Sequence, residues 1–159
     1  MGLIRCLLYA AFIGILSFFL GRLLPGSLFQ ENHIPFKIWS WERGGKLYDT
    51  LFHIKKWQAK VPDMSKILPG FLPRKEVTKD FRKQLPRMIT ETCIAEWIHG
   101  LLCILSIPCL LLWPGWGGMI FTLLYILGNI PFMMIQRYNR PRLMALNRKM
   151  EQRQQRKEL

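Results

Sequence analysis

The apolar residues of this 159-residue chain are gathered into three long blocks, and this segregation constrains the fold more than any other feature. The blocks cover residues 3–24, 91–113 and 117–136. Each is long enough to cross the hydrocarbon core of a bilayer, which takes roughly 20 helical residues. A water-soluble core would instead distribute its apolar residues at helical or strand periods along the chain. The sequence therefore predicts an all-α integral membrane protein with three transmembrane helices.

The segments between the blocks indicate how the three helices are connected. The turn WPGWGG joins the second and third blocks and is too short for anything but an antiparallel hairpin. The first block resembles a signal peptide, but its apolar run is long and the following LLPGSLFQ is a poor cleavage site, so we expect a retained helix. The result is one membrane domain over residues 1–159, with a loop at residues 25–90 and a tail at residues 137–159.

Lys and Arg outnumber Asp and Glu by 23 to 10, and almost all of these cations lie in the loop and the tail. Three spans put both regions on one side, and the positive-inside rule places them in the cytoplasm of a cell-membrane protein whose N-terminus lies outside. Most of the cations are expected to contact anionic membrane lipid. No nucleic-acid-binding motif is present, so nucleic acid is not a predicted partner. The four cysteines form no C-x-x-C pair, and neither a metal site nor a cofactor is predicted.

Within the loop, the stretch HIPFKIWSWERGGKLYDTLFHIKKWQAKVPDM interleaves aromatic and basic residues. Leu47, Leu51, Ile54 and Trp57 recur at spacings of three and four, which predicts an amphipathic helix in the membrane interface. A second short basic helix is predicted around residues 78–85. Such a loop either rests on lipid or covers a site at the bilayer surface, and the spacing leaves both possibilities open.

Ionisable residues stand at the entrance to the second span, in the stretch ETCIAEWIHG. Glu96 and His99 are three residues apart and share a helical face, while Glu91 approaches from the other flank. Ionisable groups in a membrane segment are costly and mark function by default. The alternative is a packing role, in which the imidazole and carboxylate satisfy each other or pair with an arginine of the next helix.

The third span ends in GNIPFMMIQRYNRPRL, and an antiparallel hairpin sets this end beside the entrance to the second span. Guanidinium groups bind phosphate or carboxylate through paired hydrogen bonds. We therefore predict a cluster that joins an acid–base residue to anion-binding and amide groups. The substrate-binding candidates in this cluster are Glu91, Asn129, Gln136, Arg137, Tyr138, Asn139 and Arg140.

The strings ETCIAEWIH and NIPFMMIQRYNRPRL, preceded by WERGGKLYDTLFHIKKWQAKVPD, resemble the glycosyl-4,4'-diaponeurosporenoate acyltransferase family over about residues 36–143. The resemblance implies a bacterial membrane enzyme that transfers a fatty acyl group to a sugar hydroxyl of a glycosylated carotenoid acid, in the synthesis of staphyloxanthin-type pigments. It also implies a lipid-linked sugar acceptor and an acyl donor, whether acyl-CoA, acyl carrier protein or phospholipid.

Acyl transfer to a hydroxyl requires a base and groups that stabilise the developing oxyanion. We expect His99 to be the base, Glu96 to orient its ring, and the arginines to hold anionic groups. The H-x-x-x-x-D acyltransferase pattern is absent, because Ile104 stands five residues after His99. No Ser or Cys lies in a nucleophile motif.

Other functions stay open at this point. One is a non-catalytic membrane protein that binds anionic lipid and supports an enzyme assembly, and another is a different enzyme of lipid-linked substrates, such as a methyltransferase. Gly100 and Gly128 would let helices approach closely, which leaves a homo-oligomer open as well.

Overall fold

The computed structural model describes residues 1–61 and 81–158, and these two ranges consist of helices and turns without any strand. The helices are α1 (Gly2–Leu23), α2 (Lys46–Phe52), α3 (Ile54–Trp57), α4 (Phe81–Leu105), α5 (Cys109–Leu112) and α6 (Trp116–Glu158). Short 3-10 turns occupy Gly26–Leu28, Ser40–Glu42 and Gln58–Lys60. By length and composition, the stretches Gly2–Leu23, Phe81–Leu112 and Trp116–Lys157 can each cross a membrane. The predicted all-α class with three spans is confirmed.

The chain forms two compact units, and the first combines Met1–Leu28 with Ile94–Met134. Helices α4 and α6 run antiparallel in this unit. Gly100 of α4 faces Met133 of α6, and Ser106, six residues later, accepts a hydrogen bond at 3.4 Å from the hydroxyl of Thr122, eleven residues before Met133. The predicted antiparallel pairing of the second and third spans is therefore present in this unit.

Helix α1 packs in the first unit through a narrow stripe, whose members are Cys6, Ile13, Ser17 and Gly21. The approach is close at Gly21, where an added Cβ would lie 2.8 Å from the Cδ1 of Ile98. The rest of α1 presents large apolar side chains outward, among them Leu8, Phe12 and Phe19. A continuous apolar surface of this kind is not stable in water but is normal in lipid. The protein is thus a multi-pass membrane protein.

The second span was predicted as one helix over residues 91–113, but in the structure it consists of two helices. Helix α4 begins at Phe81 and ends at Leu105, and the short helix α5 follows only after a turn. The turn has a local cause, because Pro108 lacks a backbone N–H and disfavours a helical residue before it. Ser106 stabilises the break by donating its hydroxyl to the carbonyl of Cys103 at 2.7 Å.

The second unit combines Phe29–Cys93 with Ile135–Leu159. Helix α6 continues through this unit, past Pro141, to Glu158. The predicted basic tail is helical here because one of its faces is apolar and packed: Leu143, Leu146 and Met150 lie against Phe81, Leu85 and Met88 of α4. Burial of these side chains, each contributing about 1.5–3 kcal/mol when complete, stabilises the end of the chain.

The basic loop is less regular than predicted. Two short helices replace the single amphipathic one, because His53 between them adopts a left-handed conformation with φ 51°. Ile54 is fully buried whereas Leu51 is 59% exposed, so the predicted apolar residues do not share one face. Of the helix predicted around residues 78–85, residues 78–80 lie outside the described ranges and the remainder belongs to α4.

Gly45 anchors this loop on α6. Its φ of 83° suits glycine, and a Cβ there would lie 3.0 Å from the carbonyl oxygens of both Arg137 and Tyr138. Any larger residue would therefore push the loop off the helix.

Candidate functional site

His99 lies half-buried in the first unit, and its ring is held on two sides. The Nδ1 atom is 2.8 Å from the Oδ1 of Asn129, which is buried on α6. The imidazole also stacks on the Phe132 ring, with 4.7 Å between centroids and 12° between planes. A hydrogen bond in the ring plane and an aromatic face against it together fix the orientation of the imidazole.

The hydrogen bonds of Asn129 determine which nitrogen of His99 carries the proton. The Nδ2 of Asn129 donates to the carbonyl of Tyr125 at 2.8 Å, so its Oδ1 faces the imidazole. An amide oxygen can only accept a hydrogen bond, and therefore the Nδ1 of a neutral His99 is the protonated nitrogen. The lone pair is then on Nε2. This is the tautomer in which Nε2 can take a proton from a hydroxyl group.

Glu96 is buried on α4, 5% exposed, and lies three residues before His99. The sequence predicts that its carboxylate orients the imidazole. In the structure, the Nδ1 of His99 is hydrogen-bonded to Asn129 instead. Glu96 has contacts of its own within the described chain. An electrostatic role of Glu96 toward His99 stays a prediction.

The second unit holds the arginines that were predicted to bind a substrate anion. Arg140 is fully buried, and its Nε and Nη2 donate to the side chain and carbonyl of Thr92 at 2.8 and 3.1 Å. Its Nη1 donates to the carbonyl of Phe36 at 2.5 Å. These donors of the guanidinium group are thus directed at acceptors within the protein.

Arg137 makes a similar set of contacts. Its Nε donates to the Oε1 of Glu42 at 2.5 Å, and its Nη1 and Nη2 donate to the carbonyls of Pro35 and Lys37 at 3.1 and 3.0 Å. The Arg137 side chain is 13% exposed and that of Glu42 is fully buried. Arg137 and Arg140 therefore fasten residues 35–42 to α6, and anion binding by them stays a prediction.

Glu42 is the centre of a buried network that sequence reasoning missed. Its Oε1 also accepts the Tyr48 hydroxyl at 2.6 Å, and its Oε2 accepts the backbone N–H of Trp39 at 2.9 Å. Burial alone would raise the pKa of Glu42, but the hydrogen bonds and charge of Arg137, together with the other two donors, hold this pKa below its usual value. Burial and the neighbouring carboxylate raise the pKa of Tyr48 to about 12.

The remaining candidates occupy separate positions in the second unit. Glu91 lies 3.9 Å from Arg87, one helical turn away on α4. Tyr138 is buried beneath the guanidinium of Arg142, which lies 3.3 Å from the ring centroid. Gln136 and Asn139 are half-buried on α6. Within residues 1–61 and 81–158, no three His, Cys, Asp or Glu side chains form a group able to hold a metal ion.

Comparisons with known proteins agree on one family. The sequence model of glycosyl-4,4'-diaponeurosporenoate acyltransferase matches residues 25–149. Enzymes of that name from Staphylococcus aureus strains MRSA252 and USA300 are 31% and 30% identical to the chain over 137 residues, which is 86% of this chain and 82% of each relative. No solved structure is significantly similar to it. The resemblance seen in the sequence is confirmed.

Proposed function

Since this chain belongs to the glycosyl-4,4'-diaponeurosporenoate acyltransferase family, we propose that it transfers a fatty acyl group to a sugar hydroxyl of a glycosylated carotenoid acid. The acceptor is apolar along its polyene and polar at its sugar, so it is delivered from the bilayer with the sugar at the interface. The observation that carries the proposal is the oriented imidazole of His99, whose Nδ1 is held by Asn129 so that the lone pair of the neutral ring lies on Nε2.

In the proposed reaction, Nε2 of His99 takes the proton of the sugar hydroxyl as its oxygen attacks the acyl carbonyl carbon. A C–O bond forms, and the tetrahedral intermediate then expels the leaving group of the donor. That group takes the proton back from the imidazolium, which returns His99 to its starting state. The ester and the free carrier of the donor are the products, and no covalent acyl-enzyme is required.

Asn129 and Phe132 act as positioning residues in this scheme. Asn129 keeps the proton on Nδ1 and thereby the base on Nε2, and Phe132 fixes the plane of the ring. Asn129 is neutral and does not balance the charge of an imidazolium. Glu96, buried one turn away, is our candidate for that electrostatic function.

We further propose that the protein lies in the cell membrane with its N-terminus outside and its C-terminus in the cytoplasm. The support is the concentration of Lys and Arg at residues 25–90 and 136–159, because cytoplasmic segments carry the excess of these residues. A homo-oligomer stays a prediction.

The test is the effect of His99→Ala on the amount of acylated product per molecule of membrane-inserted protein. Loss of a general base lowers the rate by about 10²–10⁴-fold, so product should almost disappear, and His99→Gln should not restore it. His33→Ala is the matched control, because His33 is an exposed histidine of the same chain. Unchanged specific activity of His99→Ala would refute the catalytic role. Absence of product from the unaltered protein would favour a non-catalytic lipid-binding protein.

A further inference from the structure

A basic groove lies in the second unit, between the beginning of α4 and the end of α6. It is an open cleft with a volume of about 420 Å³, and its described lining is Arg82, Met150, Arg153, Gln154 and Lys157. The side chains of Arg82, Arg153 and Lys157 are exposed to solvent. Three cations thus surround one concavity, and the described lining contains no carboxylate.

Regular helix geometry sets this arrangement. Arg153 and Lys157 are four residues apart on α6 and project from one face, and Met150 precedes Arg153 by one turn on that face. Met150 also packs against the apolar cluster that joins α6 to Phe81, the neighbour of Arg82. The groove therefore has charged walls and an apolar floor, and both are carried by helices packed together through a hydrophobic contact.

We propose that this groove binds the phosphate groups of a coenzyme A thioester, the acyl donor of the proposed function on which this inference rests. Guanidinium groups bind phosphate through paired hydrogen bonds and stack on planar rings, so two arginines suit a nucleotide that carries several phosphates. The cavity falls within the range of about 300–1,000 Å³ typical of small-molecule sites.

Two other carriers present phosphate: a phospholipid headgroup and the prosthetic group of an acyl carrier protein. Clusters of cations beside a membrane also attract anionic lipid headgroups, so the experiment below tests each source separately. The neighbouring groove of about 400 Å³ shares Arg82 and Gln154 with the first groove. It adds Lys83 and Glu151, and the Oε1 of Glu151 accepts a hydrogen bond from Asn147 at 2.8 Å. The described lining of the first groove combines three cations with no carboxylate, which suits a ligand with several negative charges.

The test measures binding of coenzyme A, without an acyl chain, to the full-length protein in nanodiscs of phosphatidylcholine. The double variant Arg82→Gln/Arg153→Gln should weaken binding by roughly tenfold, as expected for the loss of two exposed ion pairs. The matched control is Arg148→Gln/Lys149→Gln, which removes two exposed charges of α6 from outside the described lining. This control should change binding by less than about twofold. Equal weakening by both variants, or no binding by the unaltered protein, would overturn the proposal.

Two further arms identify the source of the phosphate. Coenzyme A binding that is lost when phosphatidylglycerol replaces half of the lipid, and that returns in neutral discs, would assign the groove to lipid and overturn the proposal. Binding of an acyl carrier protein without binding of coenzyme A would overturn it as well. Binding is also separable from catalysis, because His99→Ala should leave coenzyme A affinity unchanged while product disappears. Product formation without coenzyme A binding would refute only the groove.

Discussion

Replacement of Asn129 by alanine tests the orientation of His99 most directly. The change removes the hydrogen bond at Nδ1, so both neutral tautomers become accessible and a fraction of the enzyme carries its proton on Nε2. A net hydrogen bond of about 0.5–1.5 kcal/mol corresponds to a factor of roughly 2–13 in that equilibrium. The Phe132 ring still fixes the imidazole plane. We therefore expect kcat to fall about tenfold, well short of the 10²–10⁴-fold loss expected for His99→Ala.

The assay is the initial rate of acylated product formation, measured by mass spectrometry and divided by the amount of membrane-inserted protein. Asn129→Asp should retain more activity than Asn129→Ala, because a carboxylate still accepts from Nδ1. Asn32→Ala removes the same amide from an exposed position and serves as the control. A rate for Asn129→Ala equal to that of the unaltered protein would refute the orientation argument. A loss as large as that of His99→Ala would show that Asn129 contacts the acceptor itself.

Three other predictions concern stability and topology. Glu42→Gln should lower the free energy of unfolding by about 3 kcal/mol, which is the lower end of the range for breaking a buried ion pair. The loss is at the lower end because Arg137 still donates to two backbone carbonyls. Because folding lowers the pKa of Glu42, its carboxylate stabilises the folded protein above about pH 4.3, and this stabilisation is lost as the pH falls through the pKa of the folded state. The melting temperature of Glu42→Gln should therefore lack this decrease at acid pH. Arg140→Lys should reduce protein abundance more than specific activity, since an ammonium cannot reproduce the planar set of bonds to Thr92 and Phe36, and normal abundance with lost activity would instead support anion binding. Cysteines introduced at Lys46 and Arg156 should resist an impermeant thiol reagent in intact cells, and labelling of either would contradict the proposed topology.

The fold was predictable where it depends on apolar blocks and was not predictable where it depends on single residues. Three spans follow from block length, because the bilayer requires about 20 apolar helical residues whatever their order. The turn before α5 depends on Pro108, and the break between α2 and α3 depends on a left-handed His53. The helical tail follows from a contact between Met150 and α4, which is set by tertiary packing.

The candidate site was likewise predictable only in part from the sequence. His99 and Asn129 were both identified from their residue types and depth, but their hydrogen bond depends on the axial register of α4 and α6. A turn of six residues does not specify that register, so the nearby carboxylate of Glu96 was the natural partner to expect. Glu42 was missed because it lies in a segment read for its aromatic and basic residues. The signal was present: an acid two residues before a pair of glycines, in a loop rich in cations.

The arginines show why the charge of a segment does not by itself identify an anion site. Three successive carbonyl groups, those of Pro35, Phe36 and Lys37, accept hydrogen bonds from Arg137 and Arg140. An irregular segment has no backbone N–H groups opposite these carbonyls, so the guanidinium groups donate the missing hydrogen bonds. Their planar shape fixes the directions of these bonds. The cations of α6 thus divide by position. Arg137 and Arg140 at its middle hold the loop in place, whereas Arg153 and Lys157 near its end face solvent around an open groove. Binding of an anionic donor is therefore expected at the end of the helix, where a ligand need not displace the fold's own hydrogen bonds.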